Sequence, residues 1–172
     1  MREYLLGKRK DNPTCYVPLH AETDIFVEGL VNLIDYGLIP TNSQPGTIDD
    51  GVAQRFYLEL IVPAGFEHQL EKYIATEMSD IILTHAYSKE KVCLGSRVAV
   101  TKDANNEVFT WCCAISYDLD TIAEACPRKL KKVLKKNYCV IALVDPKWGR
   151  EQYGLDFLLD FLAKQGIRYT RS

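Results

Sequence analysis

Two strand-like segments, residues 92–102 and 107–117, are separated only by Asp103-Ala104-Asn105-Asn106. A parallel return needs a crossover of a dozen or more residues, so four residues force an antiparallel hairpin. The Asn residues supply the positive φ that such a turn requires. The same logic applies at residues 38–41, a short strand followed by the turn-forming run Asn42-Ser43-Gln44-Pro45-Gly46. Residues 55–62 (Arg-Phe-Tyr-Leu-Glu-Leu-Ile-Val), closed by Pro63, and residues 81–87 read as further strands. Residues 138–144 form an apolar run suited to a buried strand.

Between the strands lie helical stripes. Phe26, Leu30, Leu33 and Ile34 recur at i, i+4, i+7 and i+8, with Thr23 placed to cap the start and Gly37 to end it. Phe66, Leu70, Tyr73 and Ile74 form a second stripe, and Leu155, Leu158, Leu159 and Leu162, stopped by Gly166, form the last. A third helix starts near Thr121, with Glu124 completing a capping box, and Pro127 kinks or restarts it. At the amino end, Tyr4-Leu5-Leu6 and Cys15-Tyr16-Val17 read as short strands about an Asp11-Asn12-Pro13 turn. The expected architecture is α+β: a single, mostly antiparallel sheet with helices packed chiefly on one face, in one domain over residues 1–172.

Composition bounds the function. With 172 residues, 21 Lys and Arg against 23 Asp and Glu, and 47% hydrophobic residues, the chain has the balance of a globule that needs neither metal nor disulfide to hold a core. Near-neutral charge argues against a histone-like nucleic-acid binder, and no apolar run approaches a membrane span of about 20 residues. The amino end lacks the apolar centre of a signal peptide. Cys15, Cys93, Cys112, Cys113, Cys126 and Cys139 contain no C-x-x-C pair, and adjacent Cys112 and Cys113 point to opposite faces of a strand. Free thiols and a cytoplasmic location are expected.

The stretch with most chemistry follows the first helical stripe. Thr41, Asn42, Ser43 and Gln44 place four hydrogen-bonding side chains in a row, and Gly46 allows a ligand to come close. Gln54 and Arg55 open the next strand and can return to the same end of the sheet. Such a group suits a phosphate, a carboxylate or a base edge. It is equally the composition of a plain turn. Gly-Leu-Ile-Pro-Thr-Asn-Ser-Gln-Pro-Gly followed by Gln54-Arg55 resembles an uncharacterised family marked by a T-x-S-Q-P-G turn, with members in actinobacteria, large DNA viruses and phages. The resemblance spans residues 26–62. It implicates Thr41, Ser43, Gln44, Pro45, Gly46, Gln54 and Arg55, and brings no mechanism with it.

Two further segments stand out. Six of the nine residues from 128 to 136 are basic, with Leu130, Val133 and Leu134 at helical spacing; a solvated helix face accounts for them better than an anionic partner does, because no aromatic residue interleaves with the cations. The loop Asp145-Pro146-Lys147-Trp148-Gly149-Arg150 joins an indole to two cations, so Lys147, Trp148 and Arg150 complete a candidate ligand site. Catalytic motifs are thin: His20, His68 and His85 are scattered, only His85 is placed as a general base, and Asp49-Asp50 lack further metal ligands. The expectation is a non-catalytic binder of a small anionic, nucleotide-like molecule, needing no cofactor. It would form a homo-oligomer and, given the viral side of the resemblance, sequester a host signal. A host-protein inhibitor and a small hydrolase are the alternatives.

Overall fold

The computed structural model describes residues 1–10, 21–86, 98–112, 119, 123 and 128–166. A short helix α1 (Arg2–Leu5) comes first. A 3-10 turn over Ala21–Phe26 then leads into α2 (Val27–Asp35). Next come β1 (Ile39–Gln44), β2 (Ile48–Asp49), β3 (Val52–Pro63), α3 (Phe66–Thr76) and β4 (Ile82–Ala86). The order closes with β5 (Val98–Lys102), β6 (Val108–Cys112), α4 (Arg128–Asn137), β7 (Tyr138–Trp148) and α5 (Tyr153–Gln165).

Among the described residues every strand pairing is antiparallel, in the order β4-β7-β3-β5-β6, with β1 and β2 also held by β3. The fold is α+β, as expected. β3 is the organising strand. Its first residues pair with β2 and β5, and from Arg55 onward it pairs with β7, with a bulge between Arg55 and Tyr57. Strand alternation then sorts its side chains. Phe56, Leu58, Leu60 and Val62 join Cys139, Ile141 and Leu143 of β7 on the face covered by α1, α2, α3 and α5. Ile61, with Val140 of β7, turns to the other face and packs with Leu119 and with Leu134 of α4. Each fully buried Leu or Ile contributes about 1.5–3 kcal/mol relative to exposure.

Local signals were sound where they were self-contained. Asn106 adopts φ +65° in the 103–106 turn, where Asp103 Oδ1 accepts from the amides of Asn105 and Glu107 at 2.9 and 2.8 Å. Gly37 (φ +79°) and Gly166 (φ +62°) end α2 and α5. Three expectations are corrected. Tyr4 and Leu5 lie in helix, not strand, because their ring and methyls pack against the core beside α2. Thr23 is buried in the 3-10 turn and caps nothing; α2 starts after Phe26, whose ring is held edge-on to Phe56 at 6.1 Å. Asn42, Ser43 and Gln44 are not a turn but the end of β1, drawn into the sheet by pairing with Glu59, Leu58 and Tyr57. The Cys15-Tyr16-Val17 piece, the helix start at Thr121 with Glu124 and Pro127, and residues 92–97 and 113–117 of the hairpin lie outside the described residues. No described helix is long and apolar enough to cross a membrane.

Candidate functional site

The polar stretch after α2 works mainly inward. A register shift between Pro40 and Asn42 leaves Thr41 as an extra residue, and its buried hydroxyl donates to the Glu59 carbonyl at 3.2 Å. Gln44 bridges strands: its Nε2 donates to the carbonyls of Arg55 (3.2 Å) and Val100 (3.1 Å), while its Oε1 accepts from Thr101 at 3.4 Å. Thr47 donates to Gln54 Oε1 at 2.7 Å. The amides that an outward-facing anion nest would need are spent. Ser43 N–H goes to the Asn42 side chain at 3.0 Å, and Gly46 N–H to the Glu151 carbonyl at 3.0 Å.

Gly46 is needed for close packing rather than ligand approach. A Cβ there would lie 2.5 Å from the Arg150 carbonyl oxygen and 2.9 Å from the Phe56 amide nitrogen. Both are backbone atoms that cannot swing aside. Gly46→Ala is therefore expected to cost about 1–3 kcal/mol by overpacking, measured as a lower urea midpoint with an unchanged slope.

Positive charge gathers instead where β3, β5 and β7 meet. Arg55 is opposite Trp148 in the β3–β7 register, and its guanidinium carbon sits 4.2 Å from the Trp148 ring centroid. Lys102, at the end of β5, places Nζ 4.8 Å from the same centroid. Both distances fall within the range of cation–π attraction. Arg55 Nη1 donates to the Ala99 carbonyl at 2.9 Å, and its Nε is buried with no hydrogen-bond partner. Burial lowers the proton affinity of this guanidinium, and Asp145 opposes that shift. Lys102 also donates to Asn106 Oδ1 at 2.7 Å.

The other two cations of the Trp148 loop are already neutralised. Arg150 pairs with the fully buried Asp145 and, at 3.1 Å, with Asp80, and it stacks on Tyr153 at 3.8 Å rather than on Trp148. Lys147 Nζ meets Asp80 at 3.0 Å. Asp80 is held below the usual carboxylate range chiefly by the Lys147 hydrogen bond. This anchoring is complete above that range and is lost only as acid protonates the carboxylate.

Among the described residues, two concavities are lined by neither Arg55 nor Lys102. A concavity of about 640 Å³ lies beside Gly46 and is lined by Thr47, Ile48, Gln54 and Gly149 with Glu22, Asp49 and Glu151. Its charge repels anions. A second, of about 420 Å³, is lined by Tyr73, Asp80, Lys147, Arg150, Tyr153 and Asp160, where the cations are paired as above.

The structure thus gathers Gln44, Gln54, Arg55 and Trp148 near one corner, leaves Asn42 exposed on β1, and ties Lys147 and Arg150 to Asp80. Sequence reasoning missed Lys102, Asp80 and Asp145. Asp145 stood in the chosen loop, and an acid beside Lys147 and Arg150 was the available signal. The backbone of His85 lies in β4, and its side chain falls outside the described residues. Cys139 is buried, its thiol donating to Glu67 Oε2 at 3.3 Å; burial, then the Glu67 charge, pushes its proton affinity up, the reverse of an activated nucleophile. Among the described residues no group of three or more His, Cys, Asp or Glu is placed to hold a metal ion.

No curated protein matches the chain in a sequence comparison. A family of proteins does, and over residues 1–165, from α1 to the end of α5, far beyond the 26–62 stretch on which the motif resemblance rests. The chain belongs to the family described as a domain of unknown function, DUF6919.

Proposed function

We propose that the chain is a non-catalytic binder of a small anionic, nucleotide-like molecule, held at the Arg55–Lys102–Trp148 corner. One observation carries this reading: two cations lie over one indole ring, and among the described residues no carboxylate forms an ion pair with either. A guanidinium stacked on a ring keeps edge N–H donors available in its own plane, the arrangement that grips phosphate or carboxylate oxygens. The orphaned Arg55 Nε adds a donor in need of an acceptor. Trp148 serves as a platform that fixes the cations, since its ring is already covered by them. Gln44 and Thr101 brace β3 against β5, where Lys102 pairs with Ala53, two positions before Arg55.

The T-x-S-Q-P-G resemblance is to a family found in actinobacteria, large DNA viruses and phages; should the chain be viral, sequestering a host signalling nucleotide is the biological use that such a site would serve. The buried thiol of Cys139 is in keeping with a cytoplasmic setting.

Thermal shift with nucleoside mono-, di- and triphosphates and inorganic phosphate tests the reading. At a ligand concentration 100 times Kd, stabilisation is about 2.7 kcal/mol. Arg55→Ala is expected to abolish the shift and Lys102→Ala to weaken it. A shift that survives Arg55→Ala, or no shift with any of these anions, overturns the proposal.

A further inference from the structure

The basic segment 128–136 forms α4. Among the described residues no carboxylate pairs with Arg128, Lys129, Lys131, Lys132 or Lys136. Only Leu134 of its apolar residues is buried against the sheet, while Leu130 and Val133 remain 46% exposed. Helical spacing puts Leu130 and Val133 beside the outward lysines, so this surface is cationic and apolar together. The remainder of the chain holds 15 Lys and Arg against 23 Asp and Glu. Charge is segregated.

A surface that complements α4 lies at the far end of β7. The concavity beside Gly46 carries Asp49 and Glu151, both exposed and both without an ion-pairing cation among the described residues, together with Glu22. Ile48, 70% exposed, and Val52 supply its apolar part. Neither Arg55 nor Lys102 lines it. α4 runs directly into Tyr138 at the start of β7, whereas Gly149 and Glu151 follow its end at Trp148. The eleven residues of β7, roughly 35 Å of extended strand, lie between the end of α4 and Gly149, and no α4 residue lines the concavity.

We infer that α4 of one molecule docks into the Ile48–Glu151 concavity of a second copy of this chain, giving head-to-tail association. Lysines flanking Leu130 and Val133 meet Asp49 and Glu151, and the two apolar side chains cover Ile48. A polyanion such as duplex RNA would satisfy the lysines but leave Leu130 and Val133 bare, and it would be repelled by the surplus of carboxylates elsewhere. Because the two patches differ, the contact is heterologous and propagates into a ring or an open chain.

The test is sedimentation of the full chain across protein concentration, with charge reversal on each side. Lys129→Glu with Lys132→Glu alters exposed positions in the first half of α4, where acidic residues suit the helix dipole. Asp49→Lys with Glu151→Lys alters the other surface. Wild type is expected to exceed the monomer mass at low salt and to return to it near ~0.5 M salt, where screening is severe. Each double variant alone is expected to stay monomeric with an unchanged melting temperature. An equimolar mixture of the two is expected to associate again, since each now complements the other. A wild type that is monomeric throughout, association that survives both reversals, or a mixture that fails to reassemble overturns the inference. So does a wild type whose mass rises only when duplex RNA is added. These variants leave Arg55, Lys102 and Trp148 untouched, so the outcome is separate from that of the anion-binding reading.

Discussion

Phe56→Ala is expected to lower stability by about 3–5 kcal/mol, the range for deleting a buried aromatic ring. Phe56 is fully buried, lies edge-on to Phe26, and sits on the β3 bulge where the strand passes from one set of partners to the other. The start of α5 rests on its ring: a Cβ at Gly154 would come within 2.5 Å of Phe56 Cε1. Glycine at 154 therefore exists to let the helix approach that ring. A second measurement isolates this contact. Gly154→Ala alone is expected to destabilise by about 1–3 kcal/mol through overpacking. In a Phe56→Leu background the same substitution should cost much less, because the ring edge it strikes is gone. Equal costs in both backgrounds, from urea unfolding of the four proteins, would show that the contact does not set the helix position.

Asp145→Ala is expected to cost about 3 kcal/mol, the lower end of the ~3–5 kcal/mol typical when one partner of a buried ion pair is removed. Asp145 is fully buried, pairs with Arg150, and accepts the Lys147 amide at 2.8 Å. The value lies at the lower end because Asp80 still pairs with Arg150 at 3.1 Å. Removing Arg150 as well should recover part of the loss, since the stranded charge leaves with it. A double-mutant cycle reads this coupling directly. Additive losses would mean that Asp145 acts through its bond to the Lys147 amide and not through the pair.

What was legible in the sequence was local. The 103–106 turn, the glycine stops at Gly37 and Gly166, and the stripes of α2, α3 and α5 each depend on residues a few positions apart. The α+β class followed from them. Two local expectations still failed. Asn42-Ser43-Gln44 has turn composition, yet pairing with β3 holds it extended. Thr23 has cap chemistry, yet the burial of Phe26 sets where α2 begins. The candidate corner was only half visible. Arg55 and Trp148 are 93 positions apart, and only the β3–β7 register makes them neighbours. Lys102 arrives through a different pairing, β3 with β5, so nothing near it in the chain marks it. The role of Gln44 as a brace could not be read at all without three strands aligned.

The two halves of β3 differ in what they forbid. Beyond residue 56, a slip of one position against β7 would carry Glu59 onto the face where Leu58 and Leu60 now meet the helices, and would turn those leucines away from them. Before it, only Ala53 and Gln54 pair with β5, and a slip there displaces one buried side chain, Val100, from its cluster with Tyr57, Ala142 and Val144, and breaks the Gln44 bonds to Val100 and Thr101. The far end is thus pinned by a run of leucines and the near end by one valine and one glutamine, so substitutions at Val100 or Gln44 are the economical way to re-aim the β5–β6 ribbon, with Lys102 upon it, while the leucine layer beneath stays as it is.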